Sequence, residues 1–519
     1  MSGGSAAVPR LPTIAATAAH HAEARPDRIA IECEGVTVTF RELQLRSNRT
    51  AHALLAEGVA RSARIAYLGK DSEHYYDLLL ACAKTGAVLV PVDPRLTAGE
   101  IEHVLGDSGA ELLFTEEEHL PAVAGLRARL GGLRTVIPLE PTETHGRGFL
   151  TWKAEQPDTD PGTAASPGRP LAQIYTSGTT GAPKGVMLSQ ASFWAVNDLL
   201  ARHRLDWLDW REDDRSLSVL PGHHIGGPWW FLQGFRAGAT NVLTRSFDAK
   251  QIMGLIRDGG VTTTLMVPSM LQILLAEPAT TPADFTGLRK VVYGGSPIPE
   301  PLLKECLEVM GCEFAQIYGL TETCASAVCL PPADHVPGNP RLRAAGRPYP
   351  GVAVQAVGSD GSPLPPGRVG ELRIDTPAVM DGYWNRPRET ERAVVDGWLH
   401  TGDAGHVDED GYVYIRDRIK DVILVGGENV YPAEVEAALS RHPAVAEAAV
   451  VGVEHQVRGE AVHAYIVPRP GLRPTARELV LFLKGHLADY KTPTAYEFVD
   501  RLPRNAGGKI LRRALRERA

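Results

Sequence analysis

Several features are scarce in this chain, and each scarcity excludes something. There are six cysteines in 519 residues: Cys33, Cys82, Cys306, Cys312, Cys324 and Cys329. None falls in a C-x-x-C pair, which excludes a zinc ribbon and a thioredoxin-type redox motif. They read as free thiols packed like small hydrophobes. Positive charge is not in excess: Lys+Arg is 54 against Asp+Glu 62, a net charge of −8. A dedicated nucleic-acid binder would carry the opposite balance. No apolar run reaches the length of about 18 residues that a membrane span needs. The start, MSGGSAAVPRLPTIAATAAHHAEARPD, has no sustained apolar core behind a basic head. It does not read as a secretory signal, and the expected location is cytoplasmic. His20 and His21 have no evident partner and read as surface residues.

Glycine and proline are plentiful. Their 52 and 39 copies exceed the roughly 12% that the two together average, and they point to many loops, where sites sit. Between the loops, short Val/Ile/Leu-rich runs alternate with helical patterns. The runs at 63–68, 87–92, 261–268 and 288–295 read as buried strands, and 73–85 and 269–276 as helices. This alternation predicts βαβ units and a largely parallel sheet, hence an α/β fold. Residues 154–170 read as a surface connection. Beyond about 345, short strands with turn signals predict a small antiparallel unit, and after 418 the pattern is mixed α+β. Thr475 and Glu478 have capping-box spacing at the head of a helix.

One segment carries chemistry on its face. Residues 171–187, LAQIYTSGTTGAPKGVM, run from a strand into a loop of Ser, Thr and Gly that ends in Pro183-Lys184-Gly185. Close backbone N–H groups, hydroxyls and a cation suit phosphates. It is not a Walker A loop, because Pro183 precedes the lysine and Gly185 follows it. Composition alone leaves a flexible Ser/Thr/Gly linker as the alternative.

YTSGTTGAPKG resembles the signature of the adenylate-forming superfamily of acyl- and aryl-CoA synthetases, adenylation domains and luciferases. Further elements follow in that family's order: LPGHHIGG at 220–227, VYGGSPIPE at 292–300, QIYGLTE at 316–322, WLHTGD at 398–403, IRDRIKDVILVGGENVYPAEVE at 415–436 and PRNAGGKILRR at 503–513. The resemblance implies a large N-terminal domain (1–418) of stacked mixed sheets with helices, in which 347–418 forms a small β subdomain. A small mobile α+β lid (419–519) follows. It implies ATP-dependent activation of a carboxylic acid with release of pyrophosphate, then transfer to a thiol, most readily CoA. Mg²⁺ is the implied metal.

Residue by residue, the resemblance places Thr176, Ser177, Gly178, Thr179, Thr180, Gly181 and Lys184 on the β- and γ-phosphates. Glu322 would hold Mg²⁺ with Thr321 or Thr179. Taken alone, Glu322 after Thr321 would read as an acid opening a helix. Tyr318, Gly319 and the Gly294-Gly295-Ser296 backbone would frame adenine, and Asp403 and Arg418 the ribose. Lys509 would bridge the substrate carboxylate and the α-phosphate. Lys420 would be the hinge, with a plain surface lysine as the competing reading. Gly426 and Gly427 would leave a path for the pantetheine arm.

The pattern departs from the family in two places. LPGHHIGG puts His224 at the family histidine and His223 where an aromatic is usual. His224 reads as a wall of the carboxylate site, and a histidine there disfavours an α-amino acid. His223, Trp229 and Trp230 are the expected substrate-pocket residues, although the indoles also suit plain core. Arg458 stands where several relatives place a tryptophan under the CoA adenine, which weakens CoA as acceptor. The alternatives are a carrier-protein thiol as acceptor, activation of another small oxyanion such as nitrite for transfer to an amine, and a non-catalytic scaffold. The set Lys184, Glu322, Asp403 and Lys509 argues against the scaffold. No nucleic-acid partner is expected, and the oligomeric state is not legible.

Overall fold

The computed structural model describes residues 11–142, 148–163, 165–176, 183–278, 280–456, 458–504 and 510–519. Two large sheets dominate. The nine-stranded sheet runs, edge to edge, through 347–348, 328–330, 313–318, 290–294, 263–266, 215–218, 240–243, 29–33 and 36–39. Its interior pairs are parallel, and antiparallel strands close both edges. The seven-stranded sheet runs through 382–383, 184–189, 170–176, 88–92, 64–68, 110–115 and 135–138. The runs read as strands therefore fold as strands. Arg64–Leu68 and Val88–Val92 are buried along their whole length, as expected for parallel strands covered on both faces.

Helix Glu73–Thr85 touches strands of both sheets and buries all 13 of its residues. Gly86, with φ 78°, ends it in the left-handed cap that glycine favours. Because this helix has no solvent side, it carries its polar groups into the interior. Asp77 lies beneath Thr50, whose hydroxyl donates to it at 2.7 Å, and pairs with Lys153. Lys84 donates to Ser47 and Asn48 at 2.6 and 2.7 Å. Buried charges persist when paired in this way.

A small antiparallel sheet of strands 353–357, 370–375, 394–395, 398–407 and 413–418 follows. It begins at Ala353, because Arg347 and Pro348 pair into the nine-stranded sheet. The last sheet holds 423–425, 428–430, 445–455, 459–468 and 495–498. Helices Pro432–Leu439 and Ala476–Leu483 cover one of its faces with Val435, Leu439, Leu479 and Leu483. Leu502 and Leu515 cover the other. The Thr475/Glu478 capping box is present, with Thr475 N–H to Glu478 Oε2 at 2.7 Å.

The cysteines are free, and all but Cys312 are buried. Burial pushes the Cys306 and Cys329 thiols up to about 12, so they are inert at neutral pH. His21 corrects the expectation of a surface residue. It is 1% exposed, with Nε2 3.1 Å from the Arg236 carbonyl. Burial, with Arg25 beside it, lowers it to about 4. Helix Ile14–Ala24 turns this residue inward against Phe40 and Phe235. Among the described residues, no helix is long and apolar enough to cross a membrane.

Candidate active site

The expected site residues cluster where strands end. Strands 170–176, 215–218, 290–294 and 313–318 lead at their carboxyl ends to the Ser/Thr/Gly loop, to His223-His224, to Gly295-Ser296 and to Gly319–Glu322. Ligands of open α/β sheets bind at such ends. Gly294 is required by packing: a Cβ there would lie 2.6 Å from the Ile317 carbonyl oxygen of the adjacent strand.

At one end of the site, Asp403 is buried at 4% exposure. It pairs across strands 398–407 and 413–418 with Arg418, so the two side chains share a sheet face. Arg418 Nε lies 2.8 Å from Asp403 Oδ1, and its Nη1 donates to the Thr401 carbonyl at 2.9 Å. Tyr318 comes in from the nine-stranded sheet and donates its hydroxyl to Asp403 Oδ2 at 2.6 Å. Burial, then the Asp403 charge, holds the Tyr318 phenol well above its usual range, so it stays a donor. Residues separated by a hundred positions of chain thus meet in one hydrogen-bonded group.

At the other end, Glu322 sits in the 3₁₀ turn Thr321–Thr323. Cys324 and Ala325 follow with φ of 49° and 78°, a strained pair of non-glycine residues of the kind that collects at functional turns. Tyr383 donates its hydroxyl to Glu322 Oε1 at 2.7 Å, and Lys184 Nζ lies 5.2 Å from the centre of the Tyr383 ring. The short strand Gly382–Tyr383 pairs with Lys184–Ser189, which brings the three side chains together. Thr176 pairs with Lys184 across the hairpin. Ser177, Gly178, Thr179, Thr180, Gly181 and Lys509 lie outside the described residues.

Tyr383 was not singled out by the sequence reading. The segment Asp381-Gly-Tyr-Trp-Asn-Arg-Pro387 could have marked it, since two aromatics follow a glycine in a turn-rich stretch. The same segment braces the hairpin from below. The Arg64 guanidinium lies 3.3 Å from the Trp384 ring centre, Arg386 pairs with Asp107 at 2.7 Å, and Tyr175 donates to Asp107 at 2.7 Å.

The loop carrying His223 and His224 is held by residues of the seven-stranded side. Gly222 N–H donates to Asp71 Oδ1 at 2.8 Å, and Tyr75 donates its hydroxyl to the Gly222 carbonyl at 2.8 Å. His223 Nε2 lies 3.3 Å from Arg95 Nη2 and 3.5 Å from Asp93 Oδ2. Burial, then the neighbouring His224, pushes His223 well below the usual imidazole range, and burial lowers His224 too. Both rings are therefore neutral at pH 7. His224 Nε2 is buried with no hydrogen-bond partner among the described residues, an atom available to a ligand. Trp229 and Trp230 are 0% and 1% exposed and pack around Trp210. Trp230 donates its indole N–H to the Leu217 carbonyl at 3.1 Å. In this structure both indoles occupy core positions beneath the loop.

A hydrogen bond crosses the junction, and two ion pairs lie beside it within the lid. Asp417, on the last strand of the small sheet, accepts from the Ala433 N–H at the head of helix Pro432–Leu439 at 2.8 Å. One Arg512 nitrogen bridges both Glu436 oxygens at 2.7 and 2.8 Å, and Arg516 pairs with Asp421 at 2.7 Å. Lys420 is exposed. Gly426 and Gly427, with φ of 61° and 89°, make the two-residue hairpin turn between strands 423–425 and 428–430. Such turns need positive φ at both positions, and a Cβ at either would meet open space.

At the ends of the sheets stand a carboxylate–tyrosine–arginine group and, about Tyr383, a glutamate and a lysine, with a small α+β unit following in the chain. The profile of the AMP-binding enzyme family matches residues 18–384, and that of the AMP-binding enzyme C-terminal domain matches 434–509. The chain belongs to the AMP-binding enzymes. It is 55% identical, over 98% of its length and 97% of the relative's, to the fatty acid--[acyl-carrier-protein] ligase ScoC of Streptomyces coeruleorubidus. A feruloyl-CoA synthase of an Amycolatopsis species is 37% identical, over 95% of this chain and 96% of that one. Among solved structures, ATP-bound MatB from Rhodopseudomonas palustris superimposes with a TM-score of 0.88 at 31% identity, covering 97% and 98% of the two chains. The o-succinylbenzoate CoA synthetase MenE from Bacillus subtilis, in complex with its acyl-adenylate, gives 0.84 at 34%, covering 96% and 97%. This AMP-binding enzyme is an adenylate-forming ligase of mixed α/β architecture.

Proposed function

We propose that this ligase activates a fatty acid as its acyl-adenylate and passes the acyl group to the phosphopantetheine thiol of an acyl carrier protein. The observation that carries this reading is the 55% identity, over almost the whole chain, to a ligase named for that acceptor. The CoA ligases reach 36–37%. Arg458, at the position where a tryptophan would stack on the CoA adenine, points the same way. CoA is the second reading, supported by those CoA ligases along 95–96% of the chain.

The chemistry follows from charge. A carboxylate oxygen attacks the α-phosphorus of ATP and pyrophosphate leaves. A thiol sulfur then attacks the acyl carbon, and AMP leaves. The first half drives an anion against a polyanion, so positioning and neutralisation dominate the barrier. In this reading Asp403 and Arg418 take the ribose hydroxyls, since a carboxylate offers two acceptor oxygens. Tyr318 and the Gly294-Gly295-Ser296 backbone frame the base. Thr176 and Lys184 hold phosphate oxygens, together with Ser177, Gly178, Thr179, Thr180 and Gly181.

The donor set fits a divalent cation. Glu322, whose Oε1 accepts from Tyr383, would hold a hard ion such as Mg²⁺ with Thr321 or Thr179, and the ion would neutralise phosphate charge. His224, neutral and with Nε2 unspent, lies against the acid carboxylate, while His223, Trp229 and Trp230 back the pocket. Lys509 stabilises the charge that develops between the acid and the α-phosphate, and Lys420 absorbs the rotation of the lid.

The test is acid-dependent ATP–pyrophosphate exchange over fatty, aryl and amino acids and nitrite. Transfer is then followed to CoA and to a phosphopantetheinylated acyl carrier protein. Exchange with fatty acids and transfer to the carrier at higher kcat/KM than to CoA are expected. Preferential acyl-CoA formation would transfer the assignment to CoA.

A further inference from the structure

We infer that the outer face of helix Ala476–Leu483, with the loop before it, is the docking surface for an acidic carrier protein. This rests on the carrier-protein reading above. The helix buries Leu479 and Leu483 against the lid sheet. Its opposite side carries Arg477, Leu481 and Lys484 at positions i, i+4 and i+7, one stripe of a 3.6-residue helix. Leu481 is 60% exposed, and Leu472 in the preceding loop is 46% exposed. Arg473 beside it is exposed as well.

The lid's cations fall into two groups, and Arg441, Arg458, Arg469 and Arg501 share with this stripe the lack of an acidic partner among the described residues. Arg504 pairs with Glu447, Arg512 with Glu436, Arg513 with Glu517, Arg516 with Asp421 and Arg518 with Glu497. Arg473, Arg477 and Lys484 have no acidic partner among the described residues. Glu478, the acid beside Arg477, is spent on the Thr475 cap, from which it accepts both N–H and O–H. The surface therefore presents unneutralised cations around a bare leucine. That pairing marks an interface: an apolar centre supplies affinity, and a charged rim steers and aligns the partner.

The occupant follows from shape and place. Arg477 and Lys484 are separated by about 10 Å along the helix axis at 1.5 Å per residue, with Leu481 between them. One phosphate of a small molecule does not span this distance, whereas a partner helix with acidic residues flanking an apolar one does. The place suits the reaction. The chain continues from Lys484 to the turn Asp489–Lys491, which touches strand Glu428–Val430, and Lys491 pairs with Glu434 at 2.8 Å. That strand forms one arm of the Gly426-Gly427 hairpin, the proposed path of the pantetheine arm. An acidic protein on this helix face would therefore stand beside the entrance its arm must enter.

The experiment uses the full-length enzyme with Arg477→Glu and Lys484→Glu together, and a second variant, Leu481→Ser. The probe is an acidic, phosphopantetheinylated acyl carrier protein, with free pantetheine as a small acceptor. Pyrophosphate exchange and transfer to pantetheine should match wild type. kcat/KM for the carrier should fall about tenfold or more, mainly through KM, and the wild-type rate alone should fall steeply with salt. Arg477→Gln with Lys484→Gln, a milder pair, keeps the comparison interpretable if the double reversal lowers pyrophosphate exchange. A wild-type enzyme that loads no carrier but makes acyl-CoA overturns the acceptor reading on which the surface depends. A wild-type enzyme that loads carrier, with variants that load it at the same KM, overturns the surface alone. Sedimentation of wild type, but not the double variant, with phosphatidylglycerol vesicles while carrier loading is unchanged would assign the stripe to anionic membranes and overturn it too.

Discussion

Tyr383→Phe removes one oxygen from the active site and nothing else. The hydroxyl donates to Glu322 Oε1 at 2.7 Å. Burial, followed by the Glu322 charge, keeps the phenol well above its usual range, so the proton stays on the tyrosine at any working pH. A hydrogen bond to a charged acceptor is worth about 1.5–3 kcal/mol. Tyr383 is only half-buried, so about 2 kcal/mol is a fair working value, and at 1.36 kcal/mol per tenfold it corresponds to roughly 30-fold in rate. The ring remains, and with it the Lys184 contact at 5.2 Å, so the fold and the lysine should be undisturbed. Without the donor, the Glu322 carboxylate is free to rotate away from the phosphate side. ATP–pyrophosphate exchange across a Mg²⁺ titration should show kcat/KM for ATP down by roughly 10- to 30-fold, with the melting temperature close to wild type. Tyr383→Leu, which also removes the ring under Lys184, should lose more. A Tyr383→Phe enzyme within twofold of wild type at every Mg²⁺ concentration would refute the idea that this hydroxyl orients Glu322.

Asp71 makes stability fall as pH rises. Burial raises its carboxyl from 3.8 to about 7, so between these values the folded state holds a proton that the unfolded state has released, and stability drops through that window. The difference corresponds to on the order of 4 kcal/mol. Asp71→Asn should flatten the wild-type decline in melting temperature between pH 5 and 8, and parallel curves would contradict it. Arg512→Met strands the partly buried Glu436 carboxylate, which burial already pushes upward. It should cost about 3–5 kcal/mol in urea unfolding of the lid, and Arg512→Met with Glu436→Leu should recover part of that. Lys509→Ala should lose most acyl-adenylate formation and keep thioester formation from preformed adenylate, whereas Lys420→Pro, which fixes φ, should impair the second half-reaction more than the first. Equal loss of both halves in either variant would count against the assigned role.

The α/β class and the strand runs were legible in the sequence because they depend on local pattern. Short Val/Ile/Leu runs bounded by glycine and proline favour buried strands, and Thr475 with Glu478 writes its own helix start. The adenylate-forming chemistry was legible only through the resemblance of several motifs, in order, to a known family; taken alone, the Ser/Thr/Gly loop read equally well as a linker and Asp403 as a turn residue. The meeting of distant groups was not. Tyr318 reaches Asp403 and Tyr383 reaches Glu322 only because separate sheets are packed together. His21 looked like half of a surface pair until the helix turned it against Phe40. The two indoles at 229 and 230, which follow His223 and His224 closely in the sequence, pack into the core around Trp210. Local sequence determines which groups are present and which backbone shapes they prefer. Which atoms stand within a hydrogen bond of one another is decided by how the sheets pack, and no run of neighbouring residues encodes that.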